Sequence, residues 1–167
     1  MALDIDHDKA STIAACHDDP DVEDTEFLWR LVETVADVGA AGQTRRPKSC
    51  SLRNPQMSVN RKKMSTVEDT LCLQPTRDIA EFTAGSVRAI GLRVYADPCY
   101  VCRQCGGHLG NQRVPCPTCR SDASVYHNKA HAIVCPAMKE GVARKFAKEQ
   151  AVVLEIAEEM RVRAKGL

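Results

Sequence analysis

Six of the nine cysteines in this 167-residue chain lie between Pro98 and Pro136. Four of them form two C-x2-C pairs, Cys102 with Cys105 and Cys116 with Cys119, separated by ten residues. Two residues between thiols let a tight turn aim both sulfurs at one ion about 2.3 Å away. Gly106 follows the first pair and permits the left-handed backbone such a turn needs, while Pro117 stiffens the second. Two such pairs complete a tetrahedral sulfur set, a donor chemistry that favours zinc in a closed structural site. The same window holds Cys99, His108, His131 and Cys135, which makes eight donors, enough for one or two zinc ions. His127 also lies here, but His131 is the better placed of the two.

Spacing constrains pairs better than it constrains their assignment, and three partitions stay open. Cys102, Cys105, Cys116 and Cys119 can share one ion; YVCRQCG followed by PCPTC then resembles a zinc ribbon. Alternatively Cys116, Cys119, His131 and Cys135 form one site, where VPCPTC followed by HAIVCP resembles the Cys-Cys-His-Cys fingers of TRAF and Siah-type proteins. That resemblance implies a helix bearing His131 and Cys135, and leaves Cys99, Cys102, Cys105 and His108 for a compact second site. In the third partition the pairs interleave. Cys99 and Cys102 join Cys116 and Cys119, while Cys105 and His108 join His131 and Cys135. That arrangement resembles the cross-brace of a RING finger, and CPTCR is a common RING ending. The RING pattern is incomplete, because only Arg103 and Gln104 separate Cys102 from Cys105 and a further C-x2-C pair is missing.

Composition explains why a metal staple suits this chain. Leu, Ile, Val and Phe supply 35 residues, and the aromatics make up only 4%. The four aliphatic and phenyl types, 35 of 167 residues or about 21%, are close to the roughly 20% below which chains tend to be disordered. Small scaffolds of this kind are usually held by disulfides or metal. The acidic N-terminus MALDIDHDK lacks an apolar stretch and does not read as a secretory signal, and no run is long enough for a membrane span. The expectation is therefore a chain of the cytoplasm or nucleus with no membrane partner, whose thiols bind metal rather than pair. Cys16, Cys50 and Cys72 then read as free thiols.

The net charge of +1 conceals segregation. Residues 1–37 are strongly acidic, whereas residues 38–67 carry seven cations and no acid. Residues 1–20 read as a disordered acidic head. Phe27, Leu28, Leu31, Val32, Val35 and Val38 predict an amphipathic helix over 21–40, with Trp29 beside them and Gly39 and Gly42 as its stop. Residues 41–65 read as a basic linker broken by Pro47 and Pro55. Its Arg45, Arg46, Lys48, Arg53, Arg61, Lys62 and Lys63 are candidates for nucleic-acid phosphate contacts, or for pairing with the acidic head. Within 66–97, Ile79, Phe82, Val87 and Ile90 predict a second helical segment.

The zinc-binding module spans 98–136, and a single long helix is expected over 137–167. Ala143, Phe146, Val153, Ala157, Met160 and Ala164 would form its stripe, interrupted at Gln150. A stripe of about four heptads offers a coiled-coil homodimer seam. The fold class expected is a small zinc-stabilised α+β module flanked by α-helices, with a long C-terminal helix and a partly disordered N-terminal region.

No glycine-rich phosphate loop, H-E-x-x-H or nucleophile elbow is present. The zinc-deaminase signature fails in its first half, because Leu109 and Gly110 follow His108. The expectation is a non-enzymatic zinc-binding regulatory or adaptor protein for nucleic acid or a protein partner. The alternatives are a RING-like ubiquitin ligase, and a small viral cysteine-rich regulatory protein or silencing suppressor, which the chain resembles in layout.

Overall fold

The structure, a computed structural model, describes residues 16–36 and 45–166. Most of the acidic head expected over 1–20, and the glycine stop near 39–42, lie outside the described residues.

The first element corrects the sequence reading. Phe27–Val32 is a strand, β1, and Thr34–Ala36 is a second, β2. Successive side chains of a strand point to opposite faces. Leu28 and Val32 enter one core cluster, while Trp29 and Leu31 enter another. A strand buried on both sides carries a nearly continuous apolar run, which imitates helical spacing over one or two turns.

The expected basic linker is likewise ordered. Arg45–Pro47 forms β3 against β2, a 3-10 turn covers Ser49–Leu52, and Met57–Arg61 forms β4. Thr66 then caps a short helix, α1 (Val67–Leu71), its hydroxyl accepting from the Asp69 N–H at 3.1 Å. The helical segment expected within 66–97, on Ile79, Phe82, Val87 and Ile90, splits. Asp78–Thr83 is strand β5, and only Ala84–Arg88 is helical, as α2. Thr83 ends the strand and caps the helix, accepting from the Ser86 N–H.

Strand β6 (Arg93–Ala96) is followed by β7 (Cys99–Cys102), β8 (His108–Gly110) and β9 (Val125–Asn128), and then by β10 (His131–Cys135). Here β6 and β10 are antiparallel neighbours. The cysteine-rich module is thus an insertion between two paired strands, with its own sheet in the order β8–β7–β9. His131–Cys135 lies in the main sheet and not on a helix, which corrects the geometry implied by the TRAF and Siah resemblance.

After helix α3 (Glu140–Glu149) the expected long helix stops. Val152–Val153 forms β11 on the outer edge of β5, and a separate helix, α4, covers Glu158–Gly166. The break falls at Gln150, where the apolar row was interrupted. Its residues therefore sit in separate elements, and the continuous coiled-coil stripe is not formed.

The main sheet has the order β11–β5–β1–β4–β10–β6, with every pairing antiparallel. One face packs Leu28, Val59, Phe82, Val94 and Val134 against Ala143, Phe146 and Ala147 of α3. Phe82 and Phe146 meet edge to face at 5.3 Å. The other face gathers Trp29, Leu31 and Ile79 under Leu71 and Ala164, from α1 and α4. Further along that face lies His131, beneath the inserted module.

Cys16 and Cys135 are joined by a disulfide, with an S–S distance of 2.05 Å. This corrects two expectations at once, since Cys16 is not a free thiol and Cys135 is not available as a metal ligand.

Candidate metal centres

The two C-x2-C turns are built alike. In the first, the Gly106 N–H donates to the Cys102 carbonyl at 2.8 Å, with φ of +71° at Gly106. In the second, the Arg120 N–H donates to the Cys116 carbonyl at 2.7 Å, with φ of +52° at Arg120. The left-handed residue after each second cysteine turns the chain back and leaves both sulfurs on the inside. Sequence reasoning found Gly106 but missed Arg120, whose residue type carries no signal for that conformation.

Gly106 has a second constraint, because a Cβ there would lie 2.6 Å from the Leu73 carbonyl oxygen. Gly106→Ala is expected to cost at least about 1–2 kcal/mol for the left-handed φ alone. A chelator competition assay should show correspondingly weaker metal retention than in wild type.

The turns bring Cys102, Cys105, Cys116 and Cys119 together, with all four sulfurs within 4.8 Å of one another. The Cys105 and Cys116 sulfurs are 3.6 Å apart. That is far too long for a disulfide. It matches the edge of a zinc–sulfur tetrahedron, about 3.8 Å for bonds of about 2.3 Å. Burial opposes ionisation of Cys102, but hydrogen bonds from Ser124 and from the backbone N–H groups of Cys105 and Gln104 outweigh it and bring the thiol down to about 6. Burial, and then contacts with the Cys105, Cys102 and Cys116 thiols, push Cys119 up to about 12. The first shift favours the thiolate and the second the thiol. A divalent ion deprotonates coordinating thiols outright.

A second group comprises Cys99, His108 and His131, whose donor atoms also lie within 4.8 Å of one another. The Cys99 sulfur is 3.7 Å from His108 Nδ1. The His131 and His108 rings meet at 4.8 Å between centroids. Burial, followed by the Asp97 charge, pushes the Cys99 thiol up to about 11. Partial shielding of the ring from water and then the neighbouring His131 lower the His108 pKa, which favours the neutral, ligating form of the ring.

Of the three partitions, the ribbon set is therefore the one brought together. Neither the Cys116–Cys119–His131–Cys135 set nor the interleaved pairs of a RING cross-brace form, and Cys135 is bound to Cys16. His127 stacks on Tyr100 at 4.7 Å and joins neither group. Cys50 and Cys72 are free thiols, as expected.

No known protein family, no curated protein and no solved structure matches this chain.

Residues that sequence reasoning missed tie the module to the sheet. Asn60 donates from its amide to Thr70 at 3.1 Å and accepts from the Asn128 amide at 3.0 Å. These bonds link β4, α1 and β9 in one buried chain. Neither asparagine stands in a motif that would have marked it.

The candidate phosphate-contacting cations are engaged elsewhere. Arg45 pairs with Asp78 at 3.3 Å, Lys48 with Glu33 at 3.0 Å and Arg53 with Glu140 at 2.7 Å. Arg61 and Lys63 both meet Glu26, at 2.5 and 2.9 Å. Lys62 pairs with Glu81 at 2.9 Å and lies over the Phe27 ring. Arg46 is also engaged. Glu26 and Glu33 come from the acidic segment, so part of the charge segregation in the sequence becomes pairing within the fold. None of the described helices is long and apolar enough to cross a membrane.

Proposed function

We propose that this chain is a non-enzymatic zinc-binding protein of the adaptor kind, in which an ion on Cys102, Cys105, Cys116 and Cys119 is structural. The observation that carries the reading is the convergence of four sulfurs from two matched turns. Four protein donors leave a zinc ion no position for water, which suits a staple and not a catalyst. The staple sets the β7–β8–β9 sheet over the face of the main sheet that carries Trp29, Asn60 and His131. A cavity of about 430 Å³ lies there, within the range of ligand-binding clefts.

A small-molecule or protein partner is favoured over nucleic acid, because Arg45, Lys48, Arg53, Arg61, Lys62 and Lys63 already face carboxylates. The ubiquitin-ligase reading depends on interleaved ligand pairs and gains no support from the gathered set.

Native mass spectrometry of the purified chain tests the proposal. Wild type is expected to carry zinc, and Cys105→Ser to carry one ion fewer. Because Cys105 is exposed, its loss removes a ligand without opening a core cavity. Equal zinc content in the two proteins would sink the reading.

A further inference from the structure

His131 is 3% exposed in the central strand β10. Its Nδ1 lies 2.7 Å from the Asp97 carbonyl oxygen, with the Asp97 carboxylate at 3.1 Å. A carbonyl oxygen only accepts, so Nδ1 carries a proton, and Nε2 is the ring nitrogen left to serve as a metal donor. That Nε2 is the only buried side-chain nitrogen or oxygen among the described residues with no hydrogen-bond partner. Leaving such a group unpaired costs about 1–3 kcal/mol. Metal-ligating histidines show this pattern, with one ring nitrogen fixed by a carbonyl or carboxylate and the other facing the ion.

The Cys99 sulfur and His108 are the neighbouring donors, and their 3.7 Å spacing matches a zinc tetrahedron edge of about 3.6 Å for bonds near 2.3 and 2.0 Å. No fourth His, Cys, Asp or Glu among the described residues joins the group.

His108 and His131 line the cavity under the module, and Arg30 lines it too. Arg30 donates from Nε to the Ser51 carbonyl at 3.2 Å and from Nη1 to the Ser58 carbonyl at 2.9 Å. It has no carboxylate in ion-pair reach among the described residues, in contrast to the cations paired above. Burial and then repulsion from Arg77 bring its guanidinium down to about 10. A part-buried cation without a counter-charge is costly unless an anion arrives to meet it.

We propose that Cys99, His108 and His131 form a second zinc site with three protein ligands, whose fourth position takes an oxyanion, carboxylate or phosphate, held also by Arg30. A zinc ion with three protein donors accepts an exogenous oxygen ligand in this way. The site rests on the zinc-stapled module, because β7 and β8 carry Cys99 and His108.

Two measurements on the full chain test it. Native mass spectrometry after zinc reconstitution is expected to show two ions in wild type and one in His108→Ala, an exposed position whose truncation spares the core. A single ion that survives His108→Ala and is lost in Cys105→Ser would overturn this inference and leave the staple standing. An ion lost in His108→Ala but unaffected by Cys105→Ser would support this site and overturn the staple.

The second measurement places cobalt in the three-donor site and titrates it with inorganic phosphate and, separately, acetate. A shift of the cobalt d–d bands with either anion supports the proposal and identifies the preferred oxyanion; no shift with both overturns the anion half. Arg30→Met is expected to weaken the response roughly tenfold or more, with Arg30→Lys between it and wild type. Retention of both metals in these variants confirms their fold. An unchanged response in Arg30→Met would remove Arg30 from the site.

Discussion

Cys116→Ser is expected to strip the four-sulfur ion and melt the β7–β8–β9 sheet while the main sheet stays folded. The module has almost no apolar core of its own. Its buried cluster is Cys102, Cys116 and Val125, with Tyr100, Leu109 and Cys119 only partly covered. Two of the three buried members, Cys102 and Cys116, belong to the candidate four-sulfur site. Binding of a structural zinc contributes about 10–16 kcal/mol in small zinc modules, more than such a cluster supplies. The six-stranded sheet keeps a separate, larger core on α3 that does not involve the cysteines. Hydrogen exchange separates the two regions. Amides of Val101, Tyr126 and Val125 should lose nearly all protection, while those of Leu28, Phe82 and Val59 keep theirs. Persistent protection across 99–128 in the metal-free variant would show that packing, not metal, holds the module.

The cysteine pairs were the most legible part of the sequence because their geometry is local. Two residues between thiols and a left-handed residue after them define a turn whatever surrounds it, whereas the joining of the two turns into one four-sulfur group was one of three partitions the spacing left open. Cys99, His108 and His131 were legible as donors but not as a group. His131 arrives from β10, a strand of the main sheet, and only the pairing of β6 with β10 sets it beneath the module. Cys135 was misassigned for the same reason. Its partner Cys16 is 119 residues away, and no spacing rule reaches that far.

The regular elements were misread in a consistent direction. Over 21–38 and 76–90 the apolar residues fit a helical stripe, yet β1 and β5 are central strands covered on both faces. Burial on both faces erases the alternation that marks a half-buried strand. The linker reading of 41–65 failed for a different reason. Its cations read as candidates for phosphate or for the acidic head; Glu26 and Glu33 of that acidic segment take some of them, but Asp78, Glu81 and Glu140 take the rest. Charge density along a sequence does not reveal a counter-charge supplied by a neighbouring strand. At the C-terminus helix propensity was high throughout, and the edge of β5 captured Val152 and Val153.

Glu26→Ala is expected to destabilise the protein by about 3–5 kcal/mol, the usual cost of breaking a buried ion pair. The Glu26 side chain is 3% exposed and that of Arg61 10%. Arg61 donates from Nε to one carboxylate oxygen at 2.5 Å and from Nη2 to the other at 3.0 Å. Removing the carboxylate strands that guanidinium between β1 and β4. Replacing both residues by Met is expected to be close to neutral, because no buried charge is then left alone. Burial works to raise the Glu26 pKa, but the hydrogen bonds from Arg61 and Lys63 overcome it and hold the carboxyl below its ordinary value of 4.5. The folded state therefore binds fewer protons than the unfolded chain between the two values, and stability rises with pH there. Its contribution is complete above about 4.5 and is lost as pH falls through the lower folded value. Chemical denaturation across that acid range should show the loss in wild type, and Glu26→Gln, which has no carboxyl at this site to titrate, should lack this component. If the Glu26→Ala loss stays below about 1 kcal/mol, the range of surface pairs, then the pair is solvated and Arg61 is free to act elsewhere, including on a phosphate. A loss of the larger size means that neutralising Arg61 weakens the fold first, so an effect of that substitution on nucleic-acid binding would not by itself mark a contact.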